Sequence, residues 1–382
     1  MEFLLGSILC GFCLSAQAYT VSNNVYSTAG NAADVQAAIS AAKDGAVVQL
    51  PAGSFTWSNS ITVKTGVTIQ GKGVSSTTLA NPGTSYSLFS VMCDQVRTRI
   101  TGIAFKGQYA ISVGGSYTTA QFRIDDCTFD CGTVQGTLLQ CGGNAPGLVD
   151  HCTFTGGSAS EMIHNMGLGA ANGAGWLDDV YPGSASAVYI ENCTFSKNPL
   201  QDQYFWGTAA LQSYYGARTV LRHSILNACH IDQHGTPGMI GARWWEFYNN
   251  TFYVPPGMSQ GDYFALRGGS GVVFNNVVTG SNNVSGAIEL YDENGGPTPL
   301  YLARGIDQNY SPVYIWNNNG MSPWSGSSNV IAGRDYFVSS YQPSSMIKRQ
   351  LTTDTANTTY SYTPYVYPHP LDDGSTSVFG PR

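Results

Sequence analysis

The sequence predicts an all-β fold, a parallel β-helix solenoid. Three observations carry this: a short phrase recurs at a spacing near one solenoid coil, a second short strand precedes each copy, and the composition is rich in turns and poor in charge. Of 382 residues, 45 are Gly and 17 are Pro, and only 11% are charged, against about 25% in an ordinary soluble domain. Aromatic residues make up 12%, which excludes bulk disorder. The glycines follow no triplet period, which excludes collagen. Length alone suggests two or three domains, a prior that solenoids escape. The formal net charge is −7 and no run of Lys or Arg exceeds two residues. Neither nucleic acid nor an anionic membrane surface is therefore an expected partner.

From the N-terminus, residues 1–18 read as a signal peptide. Phe3 to Leu14 is apolar but too short to span a bilayer, and Ala16-Gln17-Ala18 is a small-x-small cleavage site, although the n-region lacks Lys and Arg. No second long apolar stretch follows, so the mature chain is expected to be secreted, extracellular or periplasmic, with no membrane contact. Cleavage removes Cys10 and Cys13 from the nine cysteines. The odd number that remains, without C-x-x-C spacing, points to packed thiols rather than a disulfide framework or a structural zinc site.

The solenoid proper is expected over 19–296. Ile124-Asp125-Asp126-Cys127-Thr128-Phe129 is echoed by Val149-Asp150-His151-Cys152-Thr153-Phe154 and Ile190-Glu191-Asn192-Cys193-Thr194-Phe195. Leu221–Leu226, Phe247–Phe252 and Val273–Val278 repeat the pattern. The phrases end at 105, 129, 154, 195, 226, 252 and 278, at spacings of 24, 25, 41, 31, 26 and 26; insertions at 168–186 and 196–208 account for the long ones. Equivalent residues of successive coils stack about 4.8 Å apart. Asp126, His151, Asn192, His223, Asn249 and Asn275 should thus form a polar ladder at a tight turn, bonding one another's backbones, with Cys127, Cys152 and Cys193 stacked beside it. Both histidines of this ladder are read as structural. The segment 297–382 has no repeat and reads as an irregular tail packed along the outside.

The strand before each phrase carries the chemistry. Aligned by position, its outward column reads Ser112, Gln140, His164, Gln212, Asp232, Arg267 and Glu289. The next reads Gly114, Gly142, Met166, Tyr214, His234, Gly269 and Tyr291. The face is bland at the N-terminal end and dense in acid, base, guanidinium and phenol from 164 to 293, in a chain otherwise poor in charge. Asp232, His234, Arg267, Glu289 and Tyr214 are the catalytic candidates. His164, Gln212, His230, Tyr291, Trp206 and Arg243 are the candidates for holding substrate. Asp232 and Glu289, two rungs and about 9–10 Å apart, could act as the acid pair of an inverting glycoside hydrolase or as Ca²⁺ ligands. Tyr204-Phe205-Trp206 in an insertion suits stacking against sugar rings. The bland alternative is a salt-bridged surface ladder without chemistry.

Val35-Gln36-Ala37-Ala38-Ile39, Val48-Gln49-Leu50-Pro51-Ala52-Gly53 and Val67-Thr68-Ile69-Gln70-Gly71 resemble the N-terminal cap and first coil of pectin-lyase-like right-handed parallel β-helices. An amphipathic helix starting at Asn31 would close the open end of the solenoid. The body and the phrase Tyr362–Leu371 are similar to secreted bacterial β-helix repeat proteins. That resemblance implies a fold that hosts lyases, hydrolases, epimerases and adhesins. His234-Gly235 is similar to one polygalacturonase motif, and Asp232-Gln233-His234 resembles the Asp-Pro-His motif of alginate epimerases, with Gln in place of Pro. The expectation is a monomeric, secreted enzyme that cleaves a polysaccharide. The leading reaction is β-elimination on a uronic-acid-containing glycan, with Asp232 and Glu289 binding Ca²⁺ or a carboxylate and His234, Arg267 or Tyr214 moving protons. The alternatives are inverting hydrolysis and a non-catalytic carbohydrate-binding or adhesin solenoid.

Overall fold

The computed structural model describes residues 19–83, 85–92, 97–115, 122–132, 136–143, 145–157, 161–167, 182–197, 208–234, 241–256, 262–280, 288–292, 311–328, 330–350 and 353–372. The expected signal peptide, Cys93, Asp178-Asp179 and the Tyr204-Phe205-Trp206 run lie outside the described residues, so Trp206 has no place in the site built below.

The chain winds as a right-handed parallel β-helix. Three sheets run its length: sheet A has 13 strands, sheet B nine and sheet C ten among the described residues. Successive coils add one strand to each sheet in parallel register, as in Phe122–Asp125 on Gly147–Asp150 and Gly147–Asp150 on Val188–Glu191. The helix Ala32–Ala41 closes the N-terminal end. Asn31 caps it by accepting from the Asp34 amide at 3.0 Å, and Val35, Ala38 and Ile39 bury against the first coil.

The repeat phrase marks the corner between sheets A and B. Asp126, His151, Asn192, His223, Asn249 and Asn275 all take the left-handed conformation, with φ between 49 and 56°, which Asn and Asp tolerate better than most residues. The ladder forms, and its side chains meet other side chains: Asn317 Nδ2 donates to Asn275 Oδ1 at 2.7 Å, Asn249 meets His223 at 3.2 Å, His151 meets Asp150 at 2.9 Å and Asn192 Oδ1 accepts from the Tyr367 hydroxyl at 2.7 Å. The backbone is served by the next, inward position. There Cys127, Cys152 and Cys193 give way to Ser224, Asn250, Asn276 and Asn318. Asn250 donates to the Leu221 carbonyl at 2.9 Å and accepts from the Ser224 amide at 3.0 Å; Asn276 repeats this one coil on. The six cysteines among the described residues are buried thiols outside any disulfide. Two positions further, Phe105, Phe129, Phe154 and Phe195 stack through the core at 5.0, 4.6 and 5.0 Å.

Parallel stacking does not stop at 296. Val313–Trp316 and Tyr336–Ser339 extend sheet A, and Pro323–Ser325 extends sheet C. Asn317 (φ 51°) and Asn318 continue the corner. This rung was hidden because no Thr-Phe strand follows Asn318; only Asn319 bridges to Val277. Described residues of the tail lie on the outer face of sheet A. Met346, Tyr362 and Leu371 join Leu148, Tyr189, Val220, Trp244, Tyr248, Phe274 and Trp316 in a second apolar cluster. Beneath it, Arg222 donates to Glu191, to the Tyr248 hydroxyl and to the Tyr365 and Val366 carbonyls. Sheet A is thus covered by the tail; on sheet C, Ser112, Gln140, His164 and Glu289 of the polar column are partly exposed, while Gln212 and Asp232 are buried.

Candidate active site

The site grows from the pairing register of sheet C. Ser112, Gln140, His164, Gln212 and Asp232 stack in one outward column. The next member is Ala265, then Glu289 and Trp324. Arg267 therefore does not belong to this column, as the sequence alignment had it. Asp232 faces Ala265 and Gln233 faces Leu266, so Arg267 falls one rung beyond His234, in the column of Tyr214 and Tyr291 and in the place expected for Gly269. A register slip of two keeps the same face, and the long side chain turns back: Arg267 Nε donates to Asp232 Oδ1 at 2.9 Å, and Nη2 reaches both Asp232 Oδ2 and His234 Nε2.

Asp232 is the hub of this cluster. Its Oδ2 also accepts from Gln212 Nε2 at 3.0 Å and lies 3.2 Å from His234 Nε2. Burial opposes its ionisation, but the hydrogen bonds and charges of His234 and Arg267 outweigh burial and hold its carboxyl far below the usual range. Asp232 is thus a fixed anion. His234 Nε2 sits between an acceptor, Asp232, and a donor, Arg267, so it has a partner with or without its proton. The His234 ring stacks on Tyr214 at 4.3 Å and 19°, and Tyr214 meets His164 edge-on at 4.9 Å. Burial, with the charge of His234, pulls His164 down to about 4, so this imidazole is neutral near pH 7. His164 Nδ1 lies 3.4 Å from Glu161. His230, beside Asp232 on the same strand, is also buried, and its pKa is lowered by that burial.

A second acidic group lies across the Ala265 gap. Burial, then the charge of Glu289, pushes Asp262 up to about 7. Glu289 is raised too, by burial and by Asp232, against the pull of Arg267. Gly326 leaves room for it: a Cβ there would come within 2.5 Å of Glu289 Oε1 and 3.0 Å of the Tyr291 ring. Trp324, next to Glu289 in register, is 51% exposed. The face thus offers a fixed ion pair, a His-Tyr-His aromatic row, two carboxyls with raised pKa and an exposed indole.

No protein-family model and no curated protein matches this sequence. Among solved structures, an alginate lyase from Paenibacillus sp. is 15% identical over 83% of this chain and 94% of its own, with a TM-score of 0.46. A PL6-family polysaccharide lyase from Pseudopedobacter saltans is 12% identical over 80% and 79%, at 0.41. The catalytic domain of a GH87 α-1,3-glucanase in complex with nigerose is 12% identical over 80% and 66%, at 0.27. Nothing about the reaction follows from likenesses at this level.

Arg243 does not join the site. It precedes the sheet A strand Trp244–Tyr248 and lines a separate small cavity with Pro182, Ser270, Pro312 and Tyr360. The expected Ca²⁺ fits poorly. The ion takes six to eight oxygen ligands, but both oxygens of Asp232 already receive a guanidinium and an amide, and Glu289 is separated from them by the Ala265 rung. Asp150, His151 and Asp372 do bring ligand atoms within 4.8 Å of one another, yet Arg123 donates to both carboxylates at 2.8 Å and occupies the place of a cation. Asp262, Glu161 and Trp324 were missed by sequence reasoning. Asp262 sits in the turn before its strand, Glu161 one position outside the aligned phrase, and Trp324 beyond the expected last coil.

Proposed function

We propose that the chain is a carbohydrate-active enzyme that cleaves a uronic-acid-containing polysaccharide by β-elimination along the polar face of sheet C. The Tyr214–His234 stack, locked to the Asp232–Arg267 ion pair, is the observation that carries this reading. Elimination needs a base to take the proton from the carbon bearing the carboxylate. The electron pair then forms the new C=C bond, the bond to the glycosidic oxygen breaks, and that oxygen takes a proton from an acid. His234 or Tyr214 supplies the base. Asp232 and Arg267 fix the orientation of His234. Asp262, pushed up to about 7, supplies the acid and when protonated can hydrogen-bond a substrate carboxylate without repelling it, with Glu289, raised in the same direction, as the other candidate acid. Trp324 offers an apolar plane for a sugar ring.

Asp262 and Glu289 favour a second reading, inverting hydrolysis. Burial is the first cause raising both, with the charge of Glu289 adding to Asp262 and that of Asp232 to Glu289. That assignment replaces the expected Asp232–Glu289 pair, because Asp232 is committed to Arg267. The test is the ultraviolet absorbance of an unsaturated product over a panel of uronate polymers, with wild type and His234→Gln. A rise with wild type alone supports elimination; new reducing ends without absorbance support hydrolysis. A polymer left uncut throughout would count against both.

A further inference from the structure

A separate cleft lies upstream on the same face. Its volume is about 410 Å³, and it is lined by Ser60, Ser85, Ser87, Ser90, Ser112, Tyr86, Tyr109 and Gln140, within the size range of small-ligand sites. Every lining side chain is a hydroxyl, a phenol or an amide, so the cleft presents donors and acceptors without a formal charge near pH 7. Its walls are built. Asn81 Nδ2 donates to the Tyr86 and Gln108 carbonyls at 2.9 Å, Asn81 Oδ1 accepts from the Gly83 amide, and the Tyr86 hydroxyl donates to the Trp57 carbonyl at 3.1 Å. Tyr109 is held at φ 49°, a costly conformation for a bulky residue and one that gathers at ligand sites.

Ser90, Ser112 and Gln140 stand in the same outward column as His164, Gln212 and Asp232. Gln140 is three rungs from Asp232, about 14 Å. The floor between them is continuous: Gln140 Nε2 donates to Met166 Sδ at 3.1 Å, and Met166 pairs with Tyr214. We infer that this cleft is a remote subsite for a neutral, hydroxyl-rich sugar unit of the substrate chain, an inference that rests on the polysaccharide reading above. The two ends of the groove then select different chemistry. Around Asp232 the groove meets an acidic sugar, and at the cleft a ring without a carboxylate, because among the described residues no cation lines the cleft to pair one. The preferred polymer is mixed, neutral at one end of the bound stretch and acidic at the other.

The test is calorimetric titration of the full chain with cello-, xylo-, manno- and malto-oligosaccharides. At least one series binds wild type, with an affinity that added salt leaves unchanged. Ser112→Trp fills the cleft and weakens binding about tenfold or more; should it melt early, the paired Ser90→Ala, Ser112→Ala variant removes two hydroxyls and weakens it several-fold. Absence of binding by every neutral series overturns the inference. So does binding that both variants leave unchanged, or a salt-sensitive preference for uronate oligomers that Ser112→Trp abolishes. Turnover reports on the other site: an Asp232→Asn variant that still cleaves polymer at the wild-type rate overturns the proposed reaction while the titrations still decide the cleft.

Discussion

Replacing Glu246 by Gln should stabilise the protein at pH 8 and do little at pH 4. Glu246 is fully buried on sheet A under the C-terminal tail. Its Oε1 accepts from the Gly183 amide at 3.0 Å and its Oε2 from the Tyr362 hydroxyl. Burial pushes its pKa from 4.5 to about 7, against the pull of Tyr362, Gly183 and Arg222. The folded state therefore holds this proton more tightly than the unfolded chain does. Below pH 4.5 both states are protonated and no penalty exists. Between 4.5 and about 7 the unfolded state alone releases its proton, so stability falls as pH rises. Above 7 the full penalty stands, about 3 kcal/mol at 1.36 kcal/mol per unit. Gln mimics the protonated acid: its Oε1 keeps the Gly183 bond and its amide donates to Tyr362. Because the tail is clamped at this point, urea melts and limited proteolysis of residues 341–372 should both report it. Wild type should lose midpoint and gain tail cleavage between pH 5 and 8, and Glu246→Gln should flatten both trends. A variant as pH-dependent as wild type, or one destabilised at pH 8, would refute the reasoning.

Other expectations follow from the same structure. Asp232→Asn leaves the Arg267 guanidinium facing an amide; with Arg267 only partly exposed, the loss sits near the low end for buried pairs, about 3 kcal/mol in a urea melt, and cleavage should fall about a hundredfold or more. Activity should decline as pH rises through about 7, where Asp262 loses its proton, and Asp262→Asn should remove that limb of a pH–rate profile. Phe154→Ala opens a cavity between Phe129 and Phe195 and should cost about 3–5 kcal/mol, visible as a lowered thermal midpoint with the far-ultraviolet spectrum retained.

Much of this fold could be read from the repeat, and the reason is geometric. Left-handed corners need Asn, Asp or His at one position, and parallel register forces the copies into columns, so Asn192 and Asn249 announce each coil. Sheet C was harder. Alternation cannot distinguish a register slip of two residues, because both registers send the same side chains outward. Leu266 was therefore set opposite Ile231, although Phe264 is the partner. Arg267 survived the error because its side chain is long enough to return to Asp232. Arg243 was drawn into the groove by its closeness in sequence to His234, whereas the chain crosses to sheet A between them. Asp262 and Glu161 are ordinary acids in sequence; burial in the fold is the first cause that raises their pKa. Trp324 belongs to a coil whose corner is followed by no Thr-Phe strand.

The central claim is that the face carrying Tyr214, His234 and Arg267 cleaves a uronate polymer by elimination. Product mass tests it most directly, after digestion of uronate polysaccharides by wild type and by Tyr214→Phe and His234→Gln. Wild type should release fragments one water lighter than hydrolysis products, unchanged by a chelator, and the His234 variant should lose about a hundredfold or more of that rate. Fully hydrated fragments, or lighter ones that both variants produce at the wild-type rate, would contradict it.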